Sequence, residues 1–402
     1  MAGISNRQMF LQHVAQTSEA PLGIEIEKAS GALLTDVSGK EYIDLIAGIS
    51  VCNIGHCHPA VVKAVQEQAA KYMHVMVYGE YIESPQVAYA TRLTRHLPAS
   101  LNSVYFTNSG TEATEGAMKL AKRVTRRPNI FAFNKSYHGS TQGALSLIGD
   151  EYWRNAYRPL LPGVFHFDYG SDEVLDAIDD QTACVVVEPV QAESGVIAPP
   201  EGWLQSLRSR CHEKGALLII DEIQTGFGRT GTLWAFEKNE VVPDILLLGK
   251  ALGGGMPLGA FIADIAVMQV LAVNPVLGHI TTFGGHPVSC AAGLAAFDVL
   301  LAEGLVREGA RKASILTDQL IHPAIRSVRA AGLWMAVEFP DFDFNKKVIA
   351  HCIANGLVTD WFLFAPQCLR IGPPLNITED QLQVAAAVIL QGIDAAAADS
   401  QA

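Results

Sequence analysis

No stretch of this chain reaches the roughly 18 consecutive apolar residues that a membrane helix needs. The alanine-rich end, VAAAVILQGIDAAAA, comes nearest, but it is short and is interrupted by Gln391 and Asp394. The opening MAGISNRQMFLQHV is too polar to supply the apolar core of a secretory signal. Positive charge is scarce as well. There are 29 Lys and Arg against 41 Asp and Glu, a net charge of −12. That balance argues against nucleic acid or an anionic membrane as the main partner, and leaves room for a local basic pocket holding an acidic metabolite. The seven cysteines are odd in number and widely spread, which suits reduced thiols in a cytoplasmic protein better than a disulfide framework. One cluster of metal-ligand types exists, Cys52, His56, Cys57 and His58 in VCNIGHCHPA, but it matches no zinc spacing and no second ligand pair follows. His58 before Pro59 reads instead as the start of a helix, and no metal is expected.

What is present is apolar bulk, 49% of 402 residues, enough for a sizeable core. Length alone allows two or three domains, or one large unit with an appendage. From about residue 100 to 265, short β-rich runs alternate with helical segments: VYFT at 104, IFAF at 130, CVVV at 184, LLII at 217, ILLL at 245 and AFIA at 260. Continuous apolar runs of this kind belong to strands buried on both faces of a mostly parallel sheet, so the class is α/β. Between the first two runs, EATEGAMKLAKRV places Ala113, Ala117, Leu120, Ala121 and Val124 on one helical face. The ends differ. GALLTDVSGKEYIDL reads as a hairpin around Ser38-Gly39, and the last hundred residues hold a strand-like GLWMAVEF and a final helix opened by a Thr378/Gln381 capping box. No internal repeat or low-complexity linker appears, and the two ends are expected to form a smaller domain beside the larger one.

In open parallel sheets ligands bind beyond the carboxyl ends of the strands. Polar residues gather at those ends: Asn108 to Glu112 after VYFT, Asn134 to Gly139 after IFAF, Glu188 to Gln191 after CVVV, Asp221 to Gln224 after LLII, and Gly249-Lys250 after ILLL. SGTE supports two compatible readings, a Ser109/Glu112 capping box and an anion site made from a helix N-terminus that Gly110 lets a phosphate approach. Asp221 and Lys250 each end a buried strand. A turn-capping carboxylate or a simple ion pair would account for them blandly. Pyridoxal phosphate accounts for both charges at once: its aldehyde needs a lysine, its ring nitrogen a carboxylate and its phosphate an anion site. A competing signal, GFGRTG at 226 to 231, fits the dinucleotide pattern G-x-G-x-x-G and would mean an NAD-dependent oxidoreductase. But five residues separate it from the strand, and a poor amphipathic segment follows.

The set NSGTEA, YHG, EPVQ, DEIQTGFGRTG, GKALGGGMPLGA and TTFGGHP, in that order, resembles the class III aminotransferases of the ornithine, acetylornithine and 4-aminobutyrate type. The likeness runs from GHCHP near residue 55 to LRIGPPL near 369. It implies the aspartate-aminotransferase-like fold type I of pyridoxal-phosphate enzymes. In that fold a large domain with a mostly parallel central sheet (56–295) carries a smaller α+β domain built from both chain ends (1–55 and 296–402). It also implies a homodimer with shared active sites. By position, Lys250 is similar to the Schiff-base lysine that also moves the substrate proton, and Asp221 to the partner of the ring nitrogen. Gln224 lies where the family contacts the ring hydroxyl. Ser109, Gly110 and Thr111 match the phosphate turn, joined by Thr282 from the partner subunit. Tyr137 matches the stacking aromatic, with His138 and Glu188 beside the cofactor. Arg370 matches the arginine that grips the carboxylate of glutamate or 2-oxoglutarate, and Glu193 a glutamate that masks it when the donor presents none.

The implied reaction moves the terminal amino group of an ω-amino donor, acetylornithine/ornithine or 4-aminobutyrate-like, to 2-oxoglutarate, giving glutamate. An aminomutase of the glutamate-semialdehyde type is the alternative on the same fold. The sequence departs from its relatives in reading NSGTEATE, with Thr114, and GGHP, with His286. It also carries Ser140 where acetylornithine and ornithine enzymes usually have a donor-binding arginine. The last change bears most on the amine donor and leaves the cofactor chemistry untouched.

Overall fold

The six apolar runs all form strands of one seven-stranded sheet in the structure, a computed structural model that describes residues 5–399. The spatial order is Ser103–Thr107, Gly259–Ala263, Ile245–Leu248, Leu217–Asp221, Thr182–Val187, Asn129–Phe133, Val164–Phe167. Every residue of Thr182–Val187, Ile245–Leu248 and Gly259–Ala263 is buried, as strands covered on both faces must be. Two features were not legible beforehand. Gly259–Ala263 runs antiparallel to both neighbours, and VFHF at 164–167 adds a strand parallel to Asn129–Phe133 at the edge. The helix Gly110–Thr125 buries Ala113, Ala117, Leu120 and Ala121 and packs on the sheet, as its apolar face predicts.

The chain ends build two four-stranded sheets. One is the meander Ile26–Ser30, Leu33–Asp36, Glu41–Asp44, completed by Leu357–Val358 from the far end of the sequence, parallel to Glu41–Asp44. The other is antiparallel, in the order Ser327–Ala330, Met335–Glu338, Ala365–Ile371, Trp361–Phe362. The last helix, Glu379–Asp399, opens with the expected reciprocal bonds: Gln381 N–H to Thr378 Oγ1 at 3.1 Å and Thr378 N–H to Gln381 Oε1 at 3.0 Å. At 21 residues it is longer than its alanine-rich core implied, and by length and composition alone it could cross a membrane. Its stripe of Leu382, Ala386, Ile389 and Ile393 is instead buried in the protein, with the helix packed on Phe342–Ala354.

Candidate active site

Asp221 is the last residue of its strand and is almost wholly buried. Its side chain is fixed on both oxygens. Oδ1 accepts the Ile223 N–H at 2.9 Å, and Oδ2 lies 2.6 Å from His138 Nδ1. Burial is the largest influence and works against a charge on His138, but the Asp221 hydrogen bond together with the charges of Asp221 and Glu188 outweighs it and holds the imidazole pKa above its ordinary value. Glu188, one residue past its strand, accepts N–H groups from Ala192 at 3.1 Å and Tyr137 at 3.3 Å, and burial raises its pKa to about 7. Lys250 opens a short turn, Lys250–Gly253, one residue (Gly249) after the strand Ile245–Leu248. Its φ is +47°, a left-handed conformation that costs a non-glycine residue of order 1–3 kcal/mol. Desolvation lowers its pKa, while Asp221, Glu193 and Glu188 pull it back up, so groups from three strand ends meet at one ammonium.

The turn expected to bind an anion lies beside them. Ser109 caps Gly110–Thr125 by accepting the Glu112 N–H at 3.3 Å. The expected capping box is only half made. The Glu112 carboxylate reaches past Ser109 to the N–H and side-chain amide of Asn108, each at 2.9 Å, because that residue offers several donors together. A Cβ on Gly110 would sit 2.8 Å from Ile223 Cδ1. Gly139, at φ +130°, brings the Tyr137-His138 turn so close that a Cβ there would fall 2.2 Å from Thr111 Oγ1. The first N–H groups of this 16-residue helix therefore open onto the floor that carries Lys250 and Asp221. Two buried polar atoms in the same place, His138 Nε2 and Gln224 Nε2, have no partner within the protein. Unpaired buried donors of this kind are rare unless a ligand completes them, so the residues present fit a planar, anionic, polar cofactor.

Toward the smaller sheets, Arg370 on Ala365–Ile371 is buried and meets Glu193 fork to fork, Nη1–Oε1 at 3.0 Å and Nη2–Oε2 at 2.9 Å. Glu193 also takes the Leu363 N–H at 2.9 Å; burial alone would raise its pKa, but Arg370 outweighs that and holds it low. The Arg370 guanidinium lies 4.4 Å from the centre of the Phe362 ring. Sequence reasoning missed Asp360, whose Oδ1 is 2.8 Å from Arg370 Nε; an acidic residue inside the apolar run GLVTDWFLF was the available signal. Ser140 is exposed and bonded to the Tyr137 hydroxyl at 2.9 Å. Thr282 is not gathered with the others. It is exposed on a loop tied to the start of helix Gly110–Thr125 through its neighbour, with Asn108 Nδ2 donating to Thr281 Oγ1 at 3.0 Å.

GFGRTG does not make a dinucleotide turn. No helix begins after it; a short 3-10 turn at Ala235–Asn239 follows. Its Arg229 is wholly buried and donates to the carbonyls of Leu333 at 3.0 Å and Pro373 at 2.7 Å and to Asn53 Oδ1 at 2.5 Å. This arginine joins three distant segments, and its removal leaves their acceptors unpaired. Arg229→Ala is expected to cost about 3 kcal/mol of stability, read as a lower thermal midpoint; an unchanged midpoint would contradict the structural role.

A fold-type-I α/β sheet with a lysine, a carboxylate and a helix N-terminus converging beyond its strand ends defines a pyridoxal-phosphate transferase. The model of the class III aminotransferases matches residues 14–393, and the chain belongs to that family. It is 42% identical to an acetylornithine aminotransferase of Methanopyrus kandleri over 375 residues, 92% of this chain and 95% of that protein. It is 40% identical to one of Streptomyces coelicolor over 365 residues, covering 90% and 88%. Among solved structures it superposes on the ornithine aminotransferase of Toxoplasma gondii with a TM-score of 0.90 at 32% identity, covering 98% of this chain and 94% of that one. The chain is thus a pyridoxal-phosphate-dependent transaminase acting on an amino donor and an oxo acid.

Proposed function

We propose that this transaminase moves the terminal amino group of an ω-amino donor, acetylornithine/ornithine or 4-aminobutyrate-like, to 2-oxoglutarate, giving glutamate. One observation carries the reading: Glu193 covers both Nη groups of Arg370. With the pair closed, a donor whose reacting end bears no carboxylate enters without leaving a buried guanidinium unpaired. With Glu193 displaced, the same fork takes the carboxylate of the oxo acid. The acetylornithine and ornithine aminotransferases named above support this choice of donor class.

When bound, pyridoxal phosphate supplies an electron sink for the carbanion left as the donor carbon loses its proton. Lys250, its pKa already lowered by burial, takes that proton as a free amine and returns it as an ammonium. Asp221, kept in place by His138 and the Ile223 N–H, would hold the ring nitrogen. Gln224 Nε2 is left for the ring hydroxyl, Tyr137 for the ring face, and Glu188 holds the Tyr137 backbone. Ser109, Gly110 and Thr111 offer the phosphate site, joined by the partner subunit's Thr282. A homodimer is supported by the apolar surface around that loop: Ile82 is 95% and Val276 73% exposed, and segments 78–80 and 276–280 flank one groove. The division of the chain is part of the same proposal: a large domain at 56–295 and a small one from 1–55 and 296–402, supported by the pairing of Glu41–Asp44 with Leu357–Val358. The outermost residues of both ends lie outside those described. Location in the cytoplasm is proposed with it.

The test is the visible spectrum of the holoenzyme mixed with a panel of ω-amines, followed by 2-oxoglutarate with glutamate measured. Bleaching by one donor and recovery with glutamate release supports the reading; bleaching without release of an oxo product points to the aminomutase. In Glu193→Gln, half-saturation by glutamate is expected to fall about tenfold, since a buried charge pair no longer competes for Arg370. Unchanged values in that variant would remove the switch from the account.

A further inference from the structure

Arg370 carries more negative charge than a substrate clamp requires. Glu193 occupies the two Nη atoms, and Asp360 stands 2.8 Å from Nε, close but off the line of a hydrogen bond. The two carboxylates are attached to different parts of the fold. Glu193 lies in the loop after the central strand Thr182–Val187. Asp360 immediately precedes Trp361–Phe362, in the same small sheet as Arg370, and its backbone oxygen accepts the Arg370 N–H at 2.9 Å. Asp360 is therefore built into the arginine's own support, whereas Glu193 reaches it from across the cleft. Two carboxylates thus flank one guanidinium, Glu193 also feeling Lys250, and burial pushes the Asp360 pKa to about 6 despite the arginine. A second buried carboxylate is retained at a desolvation cost, so it calls for a role that Glu193 cannot fill.

We propose that Asp360 is a positioning residue for Arg370, holding the Nε side of the guanidinium so that both Nη groups keep facing the cleft while Glu193 gives way to the acceptor's carboxylate. The inference rests on the reading of Arg370 given above. With Glu193 gone, the contacts that remain to orient the fork are the Trp361 carbonyl on Nη2 at 2.9 Å, the face of Phe362 and Asp360. Of these only Asp360 supplies charge. A carbonyl and a ring face leave the guanidinium plane free to tilt, and the incoming carboxylate would have to order it at the expense of its own binding. During the donor half of the cycle Glu193 fixes both Nη atoms by itself, and Asp360 adds little. Its effect is confined to the half that uses a carboxylate.

The experiment loads the enzyme with pyridoxamine 5'-phosphate and follows the return of the visible band with two acceptors, 2-oxoglutarate and an aliphatic aldehyde that offers no carboxylate. In Asp360→Ala, half-saturation by 2-oxoglutarate is expected to rise about tenfold while the aldehyde reaction stays within about twofold of wild type. Asp360→Asn keeps the shape but removes the charge, and is expected to weaken 2-oxoglutarate binding by about as much as Asp360→Ala, again sparing the aldehyde; recovery to the wild-type value in this variant would overturn the role of the charge. Equal losses with both acceptors, or no loss with either, would overturn the proposal. Arg370→Ala separates the two levels of the argument. If that variant leaves 2-oxoglutarate binding unchanged, the assignment of Arg370 itself is wrong. If it weakens binding and Asp360→Ala does not, only the role of Asp360 falls.

Discussion

Replacing Lys250 by alanine is expected to abolish the visible band of the holoenzyme and to lower turnover by about 10⁴-fold, the upper range for a lost proton-transfer group. The structure explains why no neighbour can substitute. Lys250 is the one amine among the groups that meet there, the others being the carboxylates Asp221, Glu188 and Glu193 and the cations His138 and Arg370. Its left-handed φ of +47° aims the chain out of the strand and into the turn, and the flanking Gly249 packs against Gly110, where a Cβ would lie 3.3 Å from the Gly110 Cα. Desolvation lowers the lysine pKa, which enlarges the fraction of free amine near neutral pH. The variant keeps the proposed phosphate turn, so it should still bind added pyridoxal phosphate, giving the spectrum of the free aldehyde. A band identical to wild type, or turnover within about tenfold of it, would mean that another nucleophile carries the reaction.

The site was more legible in the sequence than its frame. Short apolar runs ending in Asp221, in Gly249-Lys250 and before Glu188 are local signals, because a strand buried on both faces must be apolar and whatever ends it at the carboxyl edge faces the ligand. Strand direction is a long-range property, and AFIA at 260 reads the same whether parallel or antiparallel. The edge strand VFHF at 164 carries a histidine and half-exposed residues, which weakened its pattern. Ala47 to Ser50 form a run of positive φ that includes Ile49 at +62°, and nothing in AGIS announces it; only the packing of the finished domain enforces such a turn. Arg229 was hidden inside GFGRTG for a similar reason. A glycine-rich string looks alike whether it wraps a phosphate or lets a buried arginine reach three carbonyl-type acceptors contributed by residues 53, 333 and 373.

Asp221→Asn should cost about 10³-fold in turnover, the scale of removing a fixed charge aimed at the reacting group inside a water-poor site. The substitution keeps the shape and the bond from the Ile223 N–H, so the loss reads charge rather than fold. Its second consequence is local and separately measurable. In the wild type the Asp221 bond and the Asp221 and Glu188 charges together outweigh desolvation and hold the His138 pKa above its ordinary value. Take the anion away and desolvation remains, so the imidazole pKa moves from above its ordinary value to below it, and the histidine becomes neutral near pH 7. Imidazole NMR on the variant follows that crossing directly. Asp221→Glu would restore the charge but push it toward the ring, and recovery of the His138 proton without recovery of turnover would show that position matters as much as charge. If Asp221→Asn loses neither turnover nor the His138 proton, then Asp221 is only a turn cap, and the carboxylate serving the ring nitrogen must be sought at Glu188, whose pKa near 7 makes it the next candidate.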